Sequence, residues 1–193
     1  MPTLTVIIGS TRPGRAGQPI AEWFTGRARS HGGFDVEVAD LAEIGLPLLD
    51  EPNHPRLRQY THQHTMDWSA RIDRADAIVF VTPEYNYGYP ATIKNAIDYL
   101  HKEWQDKPAG FVSYGGVAAG TRAVQQLKQV LTTLKMVPVF DSVNIPFHTQ
   151  LIQDGRFQAN EVLEQAADAM LDELLRVEGA LRPLRTGAAS AAA

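Results

Sequence analysis

The stretch Ala75-Asp76-Ala77-Ile78-Val79-Phe80-Val81-Thr82-Pro83-Glu84-Tyr85-Asn86-Tyr87-Gly88-Tyr89-Pro90-Ala91 changes character at its middle. Its first half is an unbroken apolar run rich in β-branched residues, the composition of a parallel strand buried on both faces. Pro83 ends the run, because proline has no N–H to give to a sheet ladder. A polar, aromatic loop follows, in which Gly88 is available for an unusual backbone angle. Pro90 suits a helix start, and residues 91–100 are expected to form that helix. The loop from Pro83 to Tyr89 thus falls at the carboxyl end of a buried strand, the edge where open α/β sheets bind ligands. Tyr85, Tyr87 and Tyr89 offer rings to cover a flat ligand, and Glu84 and Asn86 offer partners for its polar rim.

Working outward, strands are expected at 4–8, 34–39, 107–113 and 136–140, besides the central one. Pro138 points to an edge position for the last. Helices are expected from Pro19, over 57–74, over 121–135, and from an Asn160 cap to Val177. Residues 40–55 and 141–157 read as irregular. Alternating strands and helices mean a parallel sheet covered on both faces. Five strands suit a flavodoxin-like three-layer sandwich with strand order 2-1-3-4-5. Residues 1–178 read as one domain, and 179–193 as a tail whose small-residue end, 187–193, carries no function.

The composition narrows the chemistry. The 193 residues are 44% hydrophobic and 21% charged, ordinary for a globular protein, and the net charge of -4 gives no sign of a nucleic-acid partner or an anionic membrane. The chain has no cysteine, which removes disulfides, thiolate nucleophiles and cysteine-held metals. Redox work would need a bound cofactor. With no apolar run of membrane-spanning length and no signal-type leader, a cytoplasmic location is expected. No G-x-S-x-G elbow or convincing serine nucleophile occurs, and no catalytic side chain is assigned. His54, His62 and His64 read as solvated or capping rather than as a metal site, since helical positions two apart diverge. Asp50 and Glu51 read as solvated.

Two further loops belong to the same edge. After the first strand comes Gly9-Ser10-Thr11-Arg12-Pro13-Gly14-Arg15-Ala16-Gly17-Gln18, leading into a helix. Helix amino ends attract anions; Ser10, Thr11 and Gln18 add donors, and Arg12 and Arg15 add charge. Arg15 stands where a triphosphate-binding loop has lysine, and Ala16 where it has the magnesium-binding hydroxyl. No G-x-G-x-x-G fingerprint is present either. One terminal monophosphate fits the loop better. After the fourth strand, Ser113-Tyr114-Gly115-Gly116 brings paired glycines, which admit a ligand close to backbone. Phosphate, planar-ring and close-backbone sites along one edge are the layout that flavin mononucleotide (FMN) needs.

These residues resemble the NAD(P)H-dependent FMN reductases, a family with azoreductase and chromate- or quinone-reducing members. The resemblance is carried by Gly9-Ser10-Thr11-Arg12, by Pro83-Glu84-Tyr85-Asn86 continuing through Gly88, Pro90 and Lys94-Asn95-Ala96-Ile97-Asp98, and by Ser113-Tyr114-Gly115-Gly116. It implies that Ser10, Arg12, Arg15 and Gln18 hold the FMN phosphate. It implies that Pro83, Glu84, Tyr85 and Asn86 line the flavin ring, with Ser113, Tyr114, Gly115 and Gly116 on its other side. It further implies NADPH or NADH as co-substrate, a small-molecule electron acceptor, and a homodimer or homotetramer in which the helix after Pro90 joins subunits. A flavodoxin-like electron carrier or redox-sensing protein without nicotinamide turnover is the alternative.

Overall fold

The computed structural model describes residues 1–187. Strand β1 (Thr3–Ile8) leads to helix α1 (Gly17–His31) and β2 (Asp35–Asp40), then to a single turn α2 (Leu41–Ile44) and helix α3 (Gln63–Arg74). The central strand β3 (Ala77–Pro83), α4 (Ala91–Asp98), β4 (Pro108–Tyr114) and α5 (Thr121–Thr133) follow. Short strands β5 (Val137–Pro138) and β6 (Val143–Ile145), a hairpin of β7 (Ile152–Gln153) and β8 (Arg156–Phe157), and the long α6 (Glu161–Arg185) complete the chain. All pairings in the main sheet are parallel, in the order β2-β1-β3-β4-β5, as expected.

The strands alternate sides, so two apolar cores form. Leu4, Val6, Ile8, Val79, Val81 and Val112 pack against α1 and α6. Ile7, Ile78, Phe80 and Phe111 pack against Trp68 and Ile72 of α3, Ile93 and Ile97 of α4, and Leu127 and Leu131 of α5. Ile20, Phe24 and Ala28 on α1, Val124, Leu127 and Leu131 on α5, and Leu163, Ala167, Met170 and Leu174 on α6 are the buried stripes, while Trp23, Leu134 and Ala166 are half-buried beside them.

Several expectations are corrected. The fifth strand is split: β5 pairs with the start of β4, while β6 pairs with its end through Val112↔Val143 and Tyr114↔Ile145. The helix expected from Leu57 starts at Gln63: a separate single turn at Pro55–Leu57 ends at Arg58, and the Glu51 carboxylate accepts from the Thr61 and His62 amides and holds His62 extended. Those bonds outweigh the cost of burial and bring Glu51 down to about 2, so neither it nor Asp50, which accepts from Tyr99 Oη at 2.9 Å, is simply solvated. His62 precedes the helix, so its ring stacks on that of His64, 5.2 Å between centroids; among the described residues no group suited to hold a metal occurs. Finally, α6 continues past Val177 to Arg185, into the expected tail, while residues 188–193 of the small-residue end lie outside the described residues. No helix among the described residues is long and apolar enough to cross a membrane.

The extended end of α6 closes the amino edge of the sheet. Glu178 is fully buried and pairs with Arg182 and Arg185, and Arg185 reaches Asp76 at 3.1 Å. Beside them Lys107 is buried, its Nζ donating to the Ile72 and Asp73 carbonyls at the end of α3. Burial lowers Lys107 to about 8 from its ordinary 10.5. Between those values the unfolded chain binds the proton and the folded one does not, so this residue's contribution to stability rises with pH. Urea unfolding at pH 7.5 and 9.5 should show wild type gaining on Lys107→Met as pH increases; parallel shifts of both proteins would contradict this.

Candidate functional site

Because β1, β3 and β4 are adjacent and parallel, the loops that follow them share one edge. Hydrogen bonds stitch these loops together. Gly9 N donates to Val81 O at 2.9 Å, and Glu84 N to Tyr114 O at 3.2 Å. Thr92 of α4 donates to Gly9 O. Tyr114 Oη donates to Ser10 Oγ at 3.1 Å, joining the first loop to the third. Burial pushes the Tyr114 phenol up to about 12; Tyr85 adds to the rise, while the Ser10 bond, Arg12 and Arg15 oppose it.

The first loop has the features of an anion cradle. α1 has no side-chain cap and no acidic residue in its first turn. Between Ser10 and Gln18 no amide makes a backbone hydrogen bond to another described residue, which leaves a set of donors for an external acceptor. Gly17 lets the helix sit directly on Ser10 and Tyr114: a Cβ there would stand 2.3 Å from Ser10 Oγ and 2.7 Å from Tyr114 Oη. Ser10 is buried at the base, whereas Arg12 and Gln18 are exposed at the rim. Arg12 makes only a long contact to Pro13 O, and Gln18 reaches Glu22. Arg15 is placed differently from expectation. Its guanidinium forks onto Asp40 at the end of β2 and donates to Ser10 O at 2.6 Å, so it braces the loop.

The second loop is a two-residue reverse turn. Tyr85 and Gly88 exchange both backbone hydrogen bonds, at 2.8 and 2.9 Å. Asn86 and Tyr87 carry the positive φ values, 49° and 71°, and Gly88 does not. That is the type I′ pattern. Tyr85, Asn86 and Tyr87 are exposed, and the Asn86 amide meets no partner among the described residues. Pro83 is the buried last residue of β3. The Glu84 side chain is only 6% exposed and turns to Arg122, pairing with its guanidinium and accepting from its backbone N–H at the start of α5.

In the third loop Ser113 and Tyr114 are buried. Ser113 Oγ is bonded to Ala119 O and Asn144 Oδ1, and the Tyr114 ring lies under the loops with its edge against His148. Neither side chain flanks an open site. The glycines provide the opening: Gly116 is exposed, with no atom within 4 Å of where a Cβ would be. Gly120, at φ 81°, closes the turn, and a Cβ there would meet Tyr114 N at 2.8 Å. Arg122, Gln126 and His148 also border this edge and went unread in the sequence. The missing cap on α5 was a signal for a partner such as Glu84, but its identity depends on the fold.

The donors, rings and open glycine backbone fit FMN. An unsatisfied, positively edged cradle suits a phosphate, exposed tyrosines and a free amide suit a flat heterocycle, and Gly116 gives it backbone access.

The family model "NADPH-dependent FMN reductase" matches residues 2–150. An NAD(P)H-dependent FMN reductase of Schizosaccharomyces pombe is 43% identical over 149 residues, covering 75% of this chain and 74% of that protein. A quinone reductase of Pseudomonas putida is 33% identical, covering 69% and 72%. Among solved structures, the flavoenzyme NAD(P)H:(acceptor) oxidoreductase FerB of Paracoccus denitrificans superposes with a TM-score of 0.73 at 26% identity, covering 91% of this chain and 98% of that one.

Gly17→Ala forces the amino end of α1 off Ser10 and Tyr114. A loss of about 1–3 kcal/mol in urea unfolding is expected, typical of overpacking. Unchanged stability would contradict the close contact.

Proposed function

The chain belongs to the NADPH-dependent FMN reductase family, and from that premise we propose that the edge formed by its three loops is the flavin site. The protein is an FMN-dependent NAD(P)H oxidoreductase that delivers electrons to small-molecule acceptors. The observation that carries the site assignment is the cradle at residues 10–18: unsatisfied amides, a buried hydroxyl and a free arginine at a helix start.

Bound FMN supplies hydride acceptance from NAD(P)H and onward electron transfer to the acceptor. The protein supplies binding and orientation. In this proposal the amides of residues 10–18, Ser10, Arg12 and Gln18 hold the phosphate. Arg15 holds the loop to Asp40, and Tyr114 holds Ser10. Tyr85, Asn86 and the backbone of Gly115 and Gly116 position the flat ring, with Pro83, Glu84 and Ser113 supporting them from beneath. The exposed face beside Tyr85 and Tyr87 receives nicotinamide and acceptor in turn, so proximity is the protein's main kinetic contribution. We assign the acceptor to the quinone class, which the name of the Pseudomonas relative supports. The proposal treats residues 1–178 as the flavin-binding unit and includes a cytoplasmic location, where NAD(P)H is available.

Anaerobic addition of NADPH or NADH to FMN-loaded protein should bleach the flavin absorption band; an unbleached band with both donors would refute the assignment. Arg12→Ala should weaken FMN binding by roughly ten- to a hundred-fold, the worth of a charge-assisted hydrogen bond, with little change in unfolding midpoint.

The proposal includes a homodimer joined through the α4 face. Leu48 is 82% and Leu49 43% exposed on the loop beside it. Next to them lies a surface cavity of about 510 Å³, lined by Leu49, Ile97, Leu100, Val130 and Leu134. A partner subunit would bury this apolar surface. Sedimentation equilibrium should give a dimer for wild type and the 21.3 kDa monomer for Leu49→Asp; a monomeric wild type would refute it.

A further inference from the structure

The turn at Tyr85–Gly88 contains a conformational cost. Asparagine tolerates the left-handed region because its short side chain satisfies local backbone; tyrosine has no such compensation. Tyr87 nevertheless sits at φ 71°, in a turn that is mostly exposed. Something outside the turn must hold it.

The support comes from α5. The Glu84 carboxylate takes the Arg122 guanidinium from one side and the Arg122 backbone N–H at 3.2 Å. So fixed, the guanidinium lies over the Tyr87 ring, its Cζ 3.7 Å from the ring centroid. Its Nε is buried and meets no acceptor among the described residues, as a group committed to stacking rather than to a second ion pair would be. One turn along α5, Gln126 Nε2 donates to Tyr87 O at 3.1 Å. Side chain and backbone of Tyr87 are thus both held by the same helix.

We infer that Arg122 is a positioning residue: clamped by Glu84, it pins Tyr87 and thereby fixes the Tyr85–Gly88 turn in the geometry that receives the flavin ring. The inference rests on the flavin reading of this edge. Arg122 acts through Tyr87 and does not contact the ligand. The planar guanidinium is essential, because it pairs with Glu84 at its end and stacks with its face. Lysine keeps the charge for Glu84 but has no face to offer.

Arg122→Lys is therefore the informative variant, since Glu84 is not left as an unpaired buried charge. Two readouts are combined. In protein without flavin, hydrogen exchange at the Tyr85 and Gly88 amides reports the turn. FMN affinity is read from quenching of flavin fluorescence. Arg122→Lys and Tyr87→Leu should each speed exchange at both amides and weaken FMN binding about tenfold. The double variant should be no worse than the poorer single one, and Tyr87→Phe, which keeps the ring, should retain wild-type exchange at both amides. FMN affinity of Arg122→Lys within about twofold of wild type would overturn the inference, as would additive losses in the double variant. A wild type that binds no FMN would instead overturn the reading of the edge, and amide exchange would still decide whether the clamp exists.

Discussion

The buried hydrogen bond from Tyr114 Oη to Ser10 Oγ, 3.1 Å long, is the contact through which the ligand edge holds together. Parallel pairing of β1, β3 and β4 brings their carboxyl ends to one side, but it does not fix where the following loops go. The Tyr114 phenol crosses beneath the first loop and fixes the seat of α1. Gly17 is required because the helix start rests on that bond with no space for a Cβ. The same strand end accepts from Glu84 N, so the central loop is held against the third. A hydroxyl pair of this kind is neutral, so it joins the elements without consuming the positive potential of the helix start. Arg15, which could have supplied that potential directly, is instead neutralised by Asp40. In the proposed reading the phosphate is therefore met by backbone amides, Ser10, Arg12 and Gln18 rather than by Arg15.

The two ends of the sheet are built to opposite rules. At the amino edge the charged groups are mutually satisfied: Glu178 with Arg182 and Arg185, Asp76 with Arg185 and Thr3 N, and Lys107 with helix carbonyls. At the carboxyl edge, amides lack partners and the Asn86 amide is free; Asn86, Tyr87, Ala119 and Phe147 hold positive φ there, as Asp106 and Lys135 do at the amino edge. A non-glycine residue held at positive φ costs stability, of order 1–3 kcal/mol. Such residues persist where the surroundings over-determine them. The two cores on either side of the sheet and the saturated amino edge provide that determination.

Much of this was legible in the sequence because it depends on local pattern. The β3 run and the Asn160 cap each carry their own signal, alternation pointed to a parallel sheet, and five strands suited the flavodoxin-like order. What escaped depends on residues distant in the chain. Arg15 resembles an anion ligand until the fold brings in Asp40, 25 residues away. Glu51 holds His62 extended ahead of α3 because it reaches Thr61 and His62 across a loop. Val143-Asn144-Ile145 is too short to read as a strand, and it becomes one only because β4 extends beyond β5. Gly88 drew attention as the flexible residue, yet the turn is centred on Asn86 and Tyr87, because the pairing between Tyr85 and Gly88 sets its register.

That register bears on how a ligand would be met. A loop that ordered only on binding would lose conformational entropy at that moment and weaken affinity accordingly. Here the turn is already closed by two mutual backbone bonds, capped from α5, and pinned through both the ring and the carbonyl of Tyr87. The ordering cost is met during folding, by contacts that lie behind the surface facing the ligand. The exposed faces of Tyr85 and Asn86 are then free of structural duty. On the proposed reading, in which nicotinamide and acceptor visit this edge in succession, the separation is an advantage: the groups that hold the shape are not the groups that each visitor displaces.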